Sequence, residues 1–144
     1  MLLSSQTNIG LLVCGAVSLL LTHNEIECKE KGIKLAFLMF LQFFHHFIKL
    51  TAFFSPFFIT EKFLLIVCAL GLSFVLIQNT TNQHKKQPCI LSIYVNKECK
   101  QDESEFLRDI IYHLGLKNNK YYTPIFNMYT FVICAWLWYL ILGR

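Results

Sequence analysis

The stretch Ile33–Ile59, IKLAFLMFLQFFHHFIKLTAFFSPFFI, decides how the whole chain must be read. It is rich in Phe, and its charges are two lysines, Lys34 and Lys49. The hydrocarbon core of a bilayer is about 30 Å thick and a helix rises about 1.5 Å per residue, so about 20 apolar residues cross it. This stretch exceeds that length, with room for tilt or an interfacial turn. Pro lacks the helical N–H donor, so Ser55-Pro56 predicts an end or a kink.

Three more apolar runs surround it. The spans are expected at about 7–22, 33–55, 62–78 and 124–143, with a polar loop over 79–123. The first run, Ile9–Leu21, reaches spanning length only by including Gln6–Asn8 or Thr22. A signal peptide is the rival reading there, with Ala16 and Ser18 as small residues. Met1–Asn8 has no Lys or Arg to serve as a basic n-region, which favours a retained helix. Thr60-Glu61-Lys62 is so short a connection that spans two and three must form a tight hairpin. In the last run Thr123 suits a cap and Pro124 a first helical position, and Trp136, Trp138 and Tyr139 fit an interfacial aromatic belt.

The composition agrees. The 144 residues suffice for one domain, and 55% are hydrophobic against 15% charged. Soluble domains average about 45–50% apolar and about 25% charged. The expected fold is an all-α integral membrane four-helix bundle forming a single membrane domain. The net charge of +4 is modest, and no basic block or Gly-rich phosphate loop points to nucleic acid or nucleotide partners.

Four spans put Thr22–Gly32 and residues 79–123 on one side, and the termini with the Thr60–Lys62 turn on the other. Ten of the 13 Lys and Arg residues fall on the loop side, counting Lys34 at the start of the second span. The positive-inside rule therefore places loops 22–32 and 79–123 in the cytoplasm. The Asn79-Thr80-Thr81 sequon and three loop-side cysteines, Cys28, Cys89 and Cys99, argue for the opposite orientation.

Within the polar loop, Ile90–Val95 reads as a strand or an interfacial turn. Phe106, Leu107, Ile110, Ile111 and Leu114 recur at helical spacing within Ser104–Leu114 and form an amphipathic interaction face. Asp102 or Ser104 suits its start and Gly115 its end. Asp102, Glu103, Glu105 and Asp109 read as its solvated face.

The run Cys89-Ile90-Leu91-Ser92, followed by Asn96, Glu105-Phe106, Ile111-Tyr112 and Gly115-Leu116, resembles a family of small uncharacterised four-span membrane proteins with a Cys-x-Leu-Ser/Thr loop motif. The family is best known in bacteria, with similar proteins in large DNA viruses. The resemblance implies a four-span layout and no particular activity.

Two sets of residues are candidate sites. Gln42, His45, His46 and Lys49 form a polar intramembrane stripe, and ionisable groups at that depth usually face a partner, a cavity or a pathway. The functional readings are proton or ion handling, or haem ligation. The structural reading is helix–helix hydrogen bonding with Lys49 snorkelling. On the loop side, Cys89 and Cys99 are candidates for a disulfide. Cys28, His84, Cys89 and Cys99 are a weaker candidate zinc set, because their spacing matches no standard motif. Cys14, Cys68 and Cys134 lie within spans and read as small apolar residues.

No catalytic constellation is recognised and no cofactor is expected, with haem and zinc as the alternatives. The expectation is a structural or accessory subunit whose partners are the lipid bilayer and other membrane or capsid proteins, in a virion or an organelle complex. A small transporter, channel or redox module using His45, His46 and Lys49 is the alternative. A membrane enzyme with a loop-side metal is a third reading.

Overall fold

The computed structural model describes residues 3–25, 28, 31–81, 90–99 and 122–143. All regular structure among them is helical: α1 (Ser5–Glu25), α2 (Ile33–Phe58), α3 (Lys62–Thr81), α4 (Ile90–Cys99) and α5 (Tyr122–Leu142). Three of these, α1, α2 and α5, are long and apolar enough to cross a membrane. The apolar part of α3, Lys62–Ile77, is shorter.

Burial runs opposite to that of a soluble protein. Thr7, Ser18, Gln42, His45, His46, Ser55 and Thr130 are buried, while Leu12, Phe63, Phe74 and Tyr139 are each more than 60% exposed. Bulky apolar side chains facing outward over several helices need an apolar solvent. Three hydroxyls within the helices are satisfied locally. Ser18, Ser73 and Thr130 donate to the carbonyls of Cys14 (2.6 Å), Ala69 (2.7 Å) and Phe126 (2.8 Å), four residues back.

The helix α2 runs through Ser55-Pro56, where an end or a kink is expected, and stops two residues after Pro56; the reason it continues is local. Pro56 cannot supply the N–H that would bond the carbonyl of Ala52. The Ser55 hydroxyl donates to that carbonyl instead, at 2.7 Å. The helix continues to Phe58 and closes with the Ile59 N–H on the Ser55 carbonyl at 2.9 Å.

The helices pack as two antiparallel pairs joined through α2. In the first, α1 lies along α2, with Gln6 Nε2 donating to the Phe57 carbonyl at 3.0 Å. A Cβ on Gly10 would overlap the Phe58 side chain, so only glycine allows this approach. In the second, α3 lies along α5. Ser73 meets Cys134 Sγ at 3.1 Å and accepts from Trp138 Nε1 at 3.4 Å. The Ser73 hydroxyl and the Cys134 thiol both reach the Ala69 carbonyl, at 2.7 and 4.0 Å. The core at the junction of α2, α3 and α5 holds Phe53, Leu65, Ala69, Ile133 and Leu137. Phe53 stacks on Tyr129 with ring centroids 5.5 Å apart, and Phe57 meets Trp136 edge-on at 5.0 Å. Among the described residues α1 has α2 as its main neighbour, and α2 also touches α3 and α5.

The segment Ile90–Val95 is neither strand nor interfacial turn: it belongs to α4, a helix of 10 residues. Among its described side chains Val95 and Cys99, four apart, are buried against Leu38 of α2, with Leu41 and Cys28 at the edge. Gly32, at φ +66°, turns the chain from the Cys28 segment into α2 in a conformation that favours glycine. The face formed by Phe106, Leu107, Ile110, Ile111 and Leu114 lies outside the described residues, as do His84 and Cys89.

Candidate functional site

Three places bring polar side chains together. The first is the stripe on α2. Gln42, His45 and His46 are all buried, and Lys49 is half-buried. Gln42 Nε2 lies 3.1 Å from His46 Nε2. An amide nitrogen can only donate, so His46 accepts through Nε2 and holds its proton on Nδ1. His45 and His46 are adjacent in sequence, about 100° apart around the helix, and their rings meet edge-on with centroids 5.8 Å apart. Lys49 Nζ sits 5.7 Å from the centroid of the Phe126 ring of α5, a cation–π contact at the junction of the two helices. The stripe thus meets itself and an aromatic ring. The open groove between α1 and α2, about 680 Å³, is lined by Asn8, Leu11, Leu12, Gly15, Ala16, Leu19, Phe43 and Phe47, with none of the stripe residues among them.

The second place is the loop end. Cys99 is joined to Cys28, not to Cys89, with Cα atoms 4.7 Å apart across 71 residues of sequence. The expected Cys89–Cys99 pairing is corrected for a physical reason. The α4 helix packs on the first turns of α2, and Cys28 enters the same apolar cluster from just before α2. The same bond removes Cys28 and Cys99 from the candidate zinc set, since a disulfide sulfur is not a thiolate ligand. Among the described residues no three His, Cys, Asp or Glu side chains gather as a metal-binding group. Beside the disulfide, Lys34 Nζ and Glu98 Oε2 form an ion pair at 2.8 Å. The hydrogen bond from Lys34 and then its charge hold the Glu98 carboxyl below the usual range.

The third place was not anticipated. At the opposite end, Glu61 in the α2–α3 turn accepts the Ser4 N–H at 2.6 Å and the Thr7 hydroxyl at 2.5 Å. Thr60 Oγ1 donates to Ser4 Oγ at 2.8 Å, and Ser4 Oγ donates to Thr7 Oγ1 at 3.0 Å. The result is a chain of hydroxyls ending on one carboxylate. These bonds, the Thr7 hydroxyl first and the Ser4 N–H next, lower the Glu61 pKa to about 2. Ser4 and Thr7 lie 57 and 54 residues from Glu61 and match no motif with it. The one available signal was an acidic residue in a hairpin turn too short to place it anywhere else.

These features define a class, an all-helical protein with several apolar helices that fit an integral membrane location. Comparison with family models, with curated proteins and with solved structures finds no match.

Proposed function

We propose that the chain is a multi-pass membrane protein with four spans, α1, α2, α3 and α5, and that it acts as a non-catalytic structural or accessory subunit of a larger membrane-associated assembly. The observation that carries this is the fate of the stripe. Gln42 meets His46 along one face of α2, His45 packs edge-on against His46, and Lys49 reaches across to the Phe126 ring of α5, so the stripe's contact with another helix is with an aromatic ring. Wide aromatic faces, Phe37, Phe40 and Phe44 among them, remain outward for lipid or for partner helices. The α3 helix crosses as the return limb of the hairpin, since its 20 residues rise about 30 Å. The resemblance of Cys89–Leu116 favours a virion membrane as the setting, with capsid or membrane subunits as partners.

For orientation, the loop-end lysines favour the cytoplasm, whereas the Cys28–Cys99 disulfide and the Asn79 sequon favour a lumen or exterior. The disulfide is given the greater weight. A charge excess biases insertion without forbidding the reverse, whereas disulfides persist in oxidising compartments and are rare in the cytosol. On this reading the loop end faces an oxidising compartment and the Thr60–Lys62 turn faces the cytosol.

The test is purification in mild detergent from its native membrane, together with a His45→Leu/His46→Leu variant reconstituted in vesicles. Stoichiometric protein partners and unchanged proton permeability are expected. A proton conductance or a haem Soret band that the variant loses, with assembly intact, would establish the transport or redox alternative instead.

A further inference from the structure

The α4 helix has only 10 residues, too few to persist alone in water. Among the described side chains, three contacts hold it on α2. In the apolar one, Val95 and Cys99 pack against Leu38, with Leu41 and Cys28 at its edge. The Lys34–Glu98 pair is 49% and 27% exposed, so water weakens it. The third is the covalent bond between Cys28 and Cys99, which closes a segment of 71 residues containing α2 and α3. Of the three contacts, the bond is the one that constrains most, because it alone ties positions distant in sequence at fixed length.

We propose that Cys28 and Cys99 form a redox-operated clasp. Oxidised, it holds α4 over the first turns of α2. Reduced, it releases α4 and uncovers Leu38. The clasp is closed by a disulfide donor of the oxidised-glutathione or thiol-oxidoreductase class. One cysteine thiolate attacks a donor sulfur, forming a mixed disulfide and expelling one donor thiolate. The second cysteine thiolate then attacks the protein-side sulfur of that mixed disulfide. The Cys28–Cys99 bond forms and the second donor thiolate leaves. Two electrons pass from the cysteine pair to the donor, and the two thiol protons go to solvent. Opening is the same exchange run backward by a dithiol. This rests on the reading that the loop end faces an oxidising compartment.

The experiment uses the full chain in sealed native vesicles, with Cys14, Cys68, Cys89 and Cys134 replaced by Ala. A polymer-tagged maleimide should add to neither remaining cysteine before reduction and to both afterward. Adding Cys28→Ser should free Cys99 to react without reductant. Two adducts on unreduced protein would overturn the clasp. If the replaced background folds poorly, a non-reducing digest of wild-type protein serves, and recovery of separate, alkylated Cys28 and Cys99 peptides overturns it equally. Amide exchange over 90–99 should rise at least tenfold on reduction while residues 42–50 stay unchanged. An unchanged rate over 90–99 would overturn release. A membrane-impermeant reductant separates the two proposals. A clasp that exists but opens only from the cytosolic face refutes the orientation and leaves the clasp standing.

Discussion

The hydroxyl of Thr7 donates to Glu61 at 2.5 Å across 54 residues of sequence, tying the first turn of α1 to the hairpin between α2 and α3. That bond is the terminus of the Thr60–Ser4–Thr7 hydroxyl chain and depends on Glu61 being ionised. The Glu61 pKa is lowered from 4.5 to about 2, so folding binds the carboxylate in preference to the acid. The sign follows. The contribution is complete above the unfolded value of 4.5 and is lost as pH falls toward 2. Protection of the α1 N-terminal amides from exchange should hold at pH 6 and decline between pH 4.5 and 2. Glu61→Gln should remove that dependence and lower protection at neutral pH. An unaltered profile in the variant would show that the carboxylate does not anchor α1.

Gly10 is the contact point of the same helix pair. A methyl there would meet the Cβ and Cγ of Phe58, atoms too close to the backbone to swing aside. Gly10→Ala should cost about 1–3 kcal/mol through overpacking. Gly71 has no neighbour within 4 Å of such a methyl, so Gly71→Ala should be neutral or stabilise by up to about 1 kcal/mol. Thermal unfolding in detergent compares them, and equal melting temperatures would contradict close α1–α2 packing.

The pairing of Gln42 with His46 should show as coupling. Each of Gln42→Leu and His46→Leu removes one member of a 3.1 Å bond. Their combined cost should fall short of the sum by about 0.6–1.7 kcal/mol, the range found for hydrogen bonds within membrane proteins. Strict additivity would mean that the two side chains do not share a bond.

Ser73 joins α3 to α5 through Cys134 and Trp138. Ser73→Ala should destabilise by about 0.6–1.7 kcal/mol and alter the emission of Trp138 in a Trp136→Phe background. Emission unchanged by the substitution would mean that the indole has another partner.

How much of this was legible depends on distance along the chain. Apolar runs are local, and Ile33–Ile59 and Pro124–Gly143 announced α2 and α5 almost to their ends. At Ser55-Pro56 the rule for proline concerns a lost donor, while the helix runs on to Phe58 with a neighbouring hydroxyl answering the orphaned carbonyl. The Gln42–His46 bond was legible from four-residue spacing. The link from Cys28 to Cys99 was not, because three loop-side cysteines allow three pairs and spacing does not choose among them. The Glu61 anchor was equally hidden, since its donors become neighbours only after α1 folds back along α2.

The most direct test of the central claim is sided labelling of three exposed positions, Ser5→Cys, Lys62→Cys and Lys97→Cys, in sealed vesicles with the Cys28–Cys99 bond intact. Each is made singly in the background lacking Cys14, Cys68, Cys89 and Cys134. Four crossings put positions 5 and 62 on one face and position 97 on the other. An impermeant maleimide should therefore label 5 and 62 from the same side and 97 only from the opposite side. Labelling of 97 from the face that exposes 62, or of 5 from the face opposite 62, would contradict the account.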